Sequence, residues 1–173
     1  REVPDLILVL GPLPTSKTLR KWIELSKAKR IVIEPRGIKV DPLSSPSLYF
    51  QIDYKFISNL QFPVIQKDWC KLWKDAERNV ENKFDQAFKE ELPRFEGKLT
   101  HLLSLHMPSD ANLQVGNSMP IRDLEWFWKP GNGNRKLFGN RGVNGIDGTI
   151  STALGIAHKS GTATYLVTGE LAF

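Results

Sequence analysis

Asp5-Leu6-Ile7-Leu8-Val9-Leu10-Gly11-Pro12, joined by a helical stretch to Arg30-Ile31-Val32-Ile33-Glu34-Pro35, decides the fold class. The first run is continuously apolar and is closed by glycine and proline, the pattern of a strand buried in a parallel sheet. The second is a short strand, ended by Pro35 and Gly37. Between them Thr15 or Ser16 can cap a helix to about residue 28, with Leu19, Trp22, Ile23 and Leu25 on its apolar side. Strand, helix, strand in that order makes a right-handed parallel crossover and predicts an α/β fold. The densest basic run, Lys27-Ala28-Lys29-Arg30, falls where that helix should end, a position that favours cations.

Working outward, 47–52 reads as a third strand, 53–60 as a short helix and Phe62-Pro63-Val64 as a turn. From 67 to 92, Trp69, Leu72, Trp73, Ala76, Val80, Phe84, Ala87 and Phe88 recur at steps of three and four, which predicts a long amphipathic helix stopped by Pro93. A domain junction is expected at 93–97. A second α/β pattern follows: helix 99–107, strand 113–115, helix 121–128, turn 130–134, strand 136–138, helix 146–158 and strand 164–167.

Composition narrows the class. The chain has 173 residues, 24 basic and 19 acidic, a net charge of +5, with 40% hydrophobic and 25% charged residues. These values exclude disorder and collagen. A single cysteine, Cys70, excludes an internal disulfide framework and a cysteine-rich zinc site, and points to a reducing, cytoplasmic compartment. The longest apolar run, 6–10, is far too short to span a membrane, and no secretory leader is expected. Both ends read as cut, so the chain is expected to be a piece of something longer. A pI near 9.4 suits an anionic ligand. Nucleic acid is not expected, because Trp69, Trp73, Phe84 and Phe88 have the spacing of core residues on a helix. Cys70 is expected to be packed. His101 and His106 are five apart, about 140° round a helix, and cannot share a metal. Trp126, Phe127 and Trp128 are expected in a core or interface.

Three strand ends in the second half carry unusual residues, and open α/β sheets bind ligands beyond the carboxyl ends of their strands. At Val115-Gly116-Asn117-Ser118-Met119-Pro120-Ile121-Arg122, a strand stops at glycine and a helix starts near Pro120. Ser118 and Arg122 are four apart, so a hydroxyl and a carboxylate-binding guanidinium can share one side. The alternative is a Ser118 N-cap with Arg122 paired to Asp123 or Glu125. At Gly139-Asn140-Arg141-Gly142-Val143-Asn144-Gly145-Ile146-Asp147-Gly148, glycines let the backbone approach a ligand, and the following helix start favours an anion. The alternative is a crowded turn with Ile146 in the core and Asp147 as a cap. At Leu166-Val167-Thr168-Gly169-Glu170, a carboxylate stands at a strand tip, either as a divalent-cation ligand or as a helix cap.

Together these stretches, G-N-S-x-x-x-R, N-R-G-x-x-G-I-D-G-x-x-S-T-A-x-G and G-E-L, resemble the MenD family of thiamine-diphosphate synthases, 2-succinyl-5-enolpyruvyl-6-hydroxy-3-cyclohexene-1-carboxylate synthases. The resemblance is strong over 113–173 and weaker over 1–60. It implies a Rossmann-like, transhydrogenase-like central α/β domain with a long C-terminal helix at 1–92. At 93–173 it implies the opening part of the thiamine-diphosphate-binding α/β domain. It further implies decarboxylation of 2-oxoglutarate and addition of the succinyl carbanion to isochorismate, on the way to menaquinone or phylloquinone, with thiamine diphosphate and Mg²⁺ or Mn²⁺ as cofactors. The whole protein would be a homo-dimer or tetramer. Carried over residue by residue, the resemblance implies substrate contacts at Lys17, Ser118, Arg122 and Arg141. It implies cofactor contacts at Asn117, Asn144, Ile146 and Gly169, with Ile146 as the apolar wedge under the cofactor, and a metal ligand at Glu170. The family carries aspartate where Glu170 stands, and the extra methylene moves the carboxylate outward, which Mg²⁺ with its strict octahedral geometry tolerates poorly. No catalytic residue of the family falls within these residues, so the chain alone is expected to be inactive. The rival expectation is a non-catalytic α/β scaffold or small-molecule regulatory module.

Overall fold

Parallel pairing sets Leu6 opposite Lys29 and Leu10 opposite Ile33, so strand β1 (Leu6–Leu10), helix α1 (Lys17–Leu25) and strand β2 (Lys29–Ile33) form the expected crossover in the computed structural model. The structure describes residues 3–38, 42–43, 47–61, 67–89, 95–131, 133–142 and 144–173. The expected turn at 62–64 and the helix stop at Pro93 lie outside them. The chain divides into two compact units, Arg1–Lys83 and Phe84–Phe173, and helix α2 (Lys67–Lys89) runs from one into the other.

In the first unit β2 is central. Strand β3 (Leu48–Phe50) pairs parallel on its second edge, with Phe50 opposite Ile33. Val32 and Ile33 are buried there, and the Ser16 hydroxyl caps α1 by accepting from the Leu19 amide at 3.2 Å. Residues Tyr54–Asn59 form a 3-10 turn rather than an α-helix, with the Asp53 carboxylate accepting from the Lys55 amide.

Several expectations fail in this unit. Strand β1 is parallel but lies at the sheet edge, with Leu6 52% and Leu10 51% exposed and Val9 its buried residue. Helix α1 stops at Leu25, because Lys27 takes a left-handed φ of 55°, and of its apolar residues Ile23 is buried while Leu19 and Leu25 are exposed. Lys29 and Arg30 therefore open β2 instead of closing a helix, and Arg30 is buried. On α2, Leu72, Trp73, Val80 and Cys70 are exposed, so the aromatic stripe is core only in part. Trp73 meets Trp22 and Trp69 edge-on, at 5.8 Å in each case.

The second unit contains α3 (Gly97–His106), β4 (Asn112–Val115), α4 (Met119–Phe127), β5 (Lys136–Gly139), α5 (Thr149–Ser160) and β6 (Thr164–Val167). Its parallel sheet has the order β5-β4-β6, and β4 is buried at every position. The period of two gives β4 two different faces. Leu113 and Val115 pack with Met107, Ala111 and Ile121, flanked by Leu124 of α4 and Trp128. Asn112 and Gln114 face the other way, towards α5. The Asn112 amide donates to Ser160 and Thr162 hydroxyls, both at 2.9 Å, and more weakly to Thr164.

Helix α5 starts at Thr149, later than expected, because 146–148 form a turn closed by the Thr149 amide on the Ile146 carbonyl. Phe127 is buried against Phe84, Phe88 and Phe95, and Trp126 is exposed. Gly97 is required there, since a Cβ would stand 2.4 Å from the Phe127 ring. Helix α3 inverts the usual pattern: Gly97, Thr100, His101 and Ser104 are buried, while Leu99, Leu102 and Leu105 are exposed.

Candidate ligand rim at the carboxyl end of the second sheet

Val115 of β4 is aligned with Gly139 of β5 and Val167 of β6. The three segments singled out in the sequence therefore leave the sheet side by side, at one rim. The chain passes from β4 to β5 on one side, then back past β4 to β6 on the other. That reversal opens a crevice at the carboxyl end of β4, the place where open α/β sheets bind ligands. Gly116 lets the strand ends close up: a Cβ on it would stand 3.1 Å from the Thr168 hydroxyl and 3.3 Å from its Cα.

Asn117 is buried and is tied to two points of the loop after β5. Its Nδ2 donates to the carbonyls of Asn140 at 2.9 Å and Gly145 at 2.6 Å, and its Oδ1 accepts from Arg141 Nη1 at 3.0 Å. Carbonyls only accept and a guanidinium only donates, so this amide orientation is the one that satisfies all three partners.

Ser118 holds φ 73° and ψ −127° at the N-cap of α4, and its hydroxyl makes no capping bond. This backbone region is almost reserved for glycine, and non-glycine residues in it cluster at functional sites. Pro120 lies in the first turn, as expected. Arg122 is exposed one turn on, with Nη1 3.7 Å from Met119 Sδ. Asp123 is buried, and burial first, then the nearby Glu96 charge, raise its carboxyl above the ordinary range.

The glycine-rich loop is open rather than packed. Asn144 has a left-handed φ of 64°, and Ile146 is 37% exposed rather than in the core. The N-cap of α5 is Gly148, with no side-chain cap from Asp147. A Cβ added at Gly142, Gly145 or Gly169 would meet nothing within 4 Å, so open space adjoins the backbone on this rim. Glu170 is exposed and opens a 3-10 turn, Glu170–Ala172. Among the described residues, no group of three or more His, Cys, Asp or Glu side chains could hold a metal ion. The structure thus brings Asn117, Ser118, Arg122, Arg141, Asn144, Ile146, Gly169 and Glu170 to one rim, while Lys17 is the first residue of α1 in the other unit.

Sequence reading gave no role to a second polar chain beneath the loop. Gln114 Nε2 donates to Asn140 Oδ1 at 3.3 Å, Asn140 Nδ2 donates to the Thr152 hydroxyl at 3.2 Å, and that hydroxyl donates to the Gly148 carbonyl at 2.6 Å. The available signal was Gln114 itself, a polar residue inside an otherwise apolar strand. Gln114 Oε1 and Thr149 Oγ1 are buried here without a hydrogen-bond partner among the described residues.

No family profile matches the chain. It is 38% identical over 178 residues to the 2-succinyl-5-enolpyruvyl-6-hydroxy-3-cyclohexene-1-carboxylate synthase of Nostoc sp. (strain PCC 7120), an alignment covering 99% of this chain and 30% of that protein. The chain is MenD-like over nearly its whole length. Synthases of the same name match at 39% identity in Trichormus variabilis, covering 99% of this chain and 30% of the relative, and at 38% in Gloeothece citriformis, covering 98% and 29%. The chain therefore spans about 30% of the length of the MenD relatives it matches. Among the described residues, no helix is long and apolar enough to cross a membrane.

Proposed function

We propose that the chain is a segment of a thiamine-diphosphate-dependent synthase that joins 2-oxoglutarate to isochorismate, and that its second unit supplies part of the cofactor and dicarboxylate site. In this reading residues 1–92 are the central domain and 93–173 the opening of the diphosphate-binding domain. The whole protein is a cytoplasmic homo-oligomer, a dimer or tetramer, serving menaquinone or phylloquinone synthesis. One observation carries it: the alignment of Val115 with Gly139 and Val167, which gathers every motif of the family resemblance in this unit onto one rim.

The rim fits the organic cofactor. Open space lies beside Gly142, Gly145 and Gly169, the exposed Ile146 offers an apolar surface within a polar loop, and Arg141 offers a cation. When bound, thiamine diphosphate would supply the electron sink that lets a 2-oxo acid lose carbon dioxide. Asn144, Ile146 and Gly169 would hold it, while Asn117, whose amide is taken up by Asn140, Gly145 and Arg141, would support their loop rather than contact the cofactor. The Ser118 hydroxyl and the guanidinium groups of Arg122 and Arg141 would bind carboxylates of 2-oxoglutarate, orienting the 2-oxo acid for reaction, and Lys17 would serve isochorismate. The metal ion does not fit this chain alone, since Glu170 is a single donor and no cluster accompanies it among the described residues. No step is assigned through the ion.

Isothermal calorimetry of the chain with 2-oxoglutarate tests the reading. The expected result is saturable binding weakened about tenfold by Arg122→Ala, the loss of a charged hydrogen-bonded pair. No carbon dioxide should be released when thiamine diphosphate, Mg²⁺ and isochorismate are added. Release by the chain alone, or binding indifferent to Arg122, contradicts it. A second reading, a small-molecule binding module, is favoured by a pocket of about 570 Å³ in the first unit, lined by Leu6, Ile23, Lys27, Lys29, Ile31 and Leu48. It predicts saturable isochorismate binding that Lys29→Glu abolishes and that needs no thiamine diphosphate.

A further inference from the structure

We propose that Asn117 is a positioning residue: it serves the rim by clasping the loop after β5 and aiming Arg141, not by touching the ligand. The proposal rests on the reading of the rim as a ligand site only for its consequence; the clasp itself is a matter of the loop's own hydrogen bonds.

The chemistry of the amide is already committed. Asn117 has two N–H donors, and they go to the carbonyls of Asn140 and Gly145, five residues apart along the loop. An amide that bridges two such points fixes the chord between them, in a loop where open space lies beside Gly142 and Gly145. The carbonyl oxygen of the same amide takes Nη1 of Arg141. It draws one edge of the guanidinium back to the end of β4. Among the described residues no other hydrogen bond is made by that guanidinium, so its remaining N–H groups are left for an anion.

A second asparagine completes the device. Asn140, whose backbone carbonyl Asn117 holds, uses its side chain to reach Thr152, and Thr152 in turn reaches Gly148. Gln114, buried on β4, holds the oxygen of Asn140. The donors run in one direction, Gln114 to Asn140 to Thr152 to Gly148, and every link is chemically consistent. The loop from Asn140 to Gly148 is thus pinned at its start and middle by Asn117 and at its end by Asn140. Both pins are anchored on β4, the central strand. A loop rich in glycine is braced here by polar side chains, Asn117 just past β4, Gln114 on β4 and the loop's own Asn140.

The test uses the 173-residue chain without ligand, comparing wild type with Asn117→Ala, Asn117→Asp and Arg141→Met. Amide hydrogen exchange reads the loop, and the ¹⁵Nε–¹Hε relaxation of Arg141 reads the guanidinium. Asn117→Asp is nearly isosteric: it keeps an acceptor for Arg141 but loses both donors. Loss of two net hydrogen bonds predicts about tenfold faster exchange over 141–148 in both Asn117 variants. Exchange in β4 should change by less than about threefold, the threshold for calling the effect local. Arg141 order should be lost in Asn117→Ala and kept in Asn117→Asp, a split that a general loosening would not produce. Arg141→Met should leave loop exchange near wild type. If Asn117→Ala unfolds the chain, Asn117→Asp decides by the same readout. Unchanged loop exchange in Asn117→Asp, or Arg141 disorder equal in both Asn117 variants, overturns the proposal. Titration with thiamine diphosphate is a separate arm: if wild type does not bind it but the exchange pattern holds, the cofactor reading fails and the clasp stands.

Discussion

Ser118 stands out at the candidate rim through its backbone. It stands at φ 73° and ψ −127°, where a Cβ is strained by about 1–3 kcal/mol, and it makes no capping bond in return. Ser118→Gly is expected to stabilise the chain by about 1 kcal/mol, strain relief less the added freedom of the unfolded glycine, in urea denaturation. It should also weaken 2-oxoglutarate binding; a loss of stability would show that the conformation is not strained. Two buried carboxyls make opposite pH predictions. Burial pushes the Glu34 carboxyl up, but hydrogen bonds from the Arg36 side chain and amide, with its charge, outweigh burial and leave it below the ordinary range. A depressed carboxyl contributes stability that is present above its unfolded pKa and lost as pH falls through the folded one. Asp123 is raised by burial and then by Glu96, so its contribution is present below the unfolded pKa and lost as pH rises through the raised one. Denaturation at a series of pH values should show Glu34→Gln removing part of the acid sensitivity and Asp123→Asn relieving the loss at higher pH. Parallel curves for wild type and both variants would refute this.

Elements were legible in the sequence where periodicity was strong, and their surroundings were not. The strands at 113–115, 136–138 and 164–167 appear within a residue of their predicted bounds, because short apolar runs between turns leave little choice. Helix α1 ended early for a local reason, the left-handed Lys27, which no periodicity carries. The apolar run at β1 showed what the strand could bury, yet an edge position leaves Leu6 and Leu10 half-exposed. Helix α3 is the strongest case: Leu99, Leu102 and Leu105 are exposed while Thr100, His101 and Ser104 are buried, with Leu103 alone of its leucines packed on the core, so apolarity alone would assign the wrong face. Leu102→Lys is expected to change the stability of the chain by less than about 0.5 kcal/mol, the usual effect of a surface substitution. Leu113→Ala, on the apolar face of β4, should cost about 2–5 kcal/mol. Equal costs for the two in chemical denaturation would mean that α3 is turned the other way.

At the scale of the whole molecule, sequence reading found the site's parts, and topology supplied their meeting place. Three motifs up to 55 residues apart read as separate strand ends. Only the β5-β4-β6 order, with β4 between the other two, makes them neighbours at a single crevice. The polar underside of that crevice, Gln114, Asn140 and Thr152, was hidden because hydrogen bonds between distant side chains leave no periodic trace. The chain covers about 30% of the length of its MenD relatives. The most direct test is a two-dimensional NMR titration of the chain with thiamine diphosphate and 2-oxoglutarate. The account predicts shifts confined to 116–122, 139–149 and 168–171, together and saturably. Shifts spread over both units, or confined to just one of these segments, would contradict a common rim.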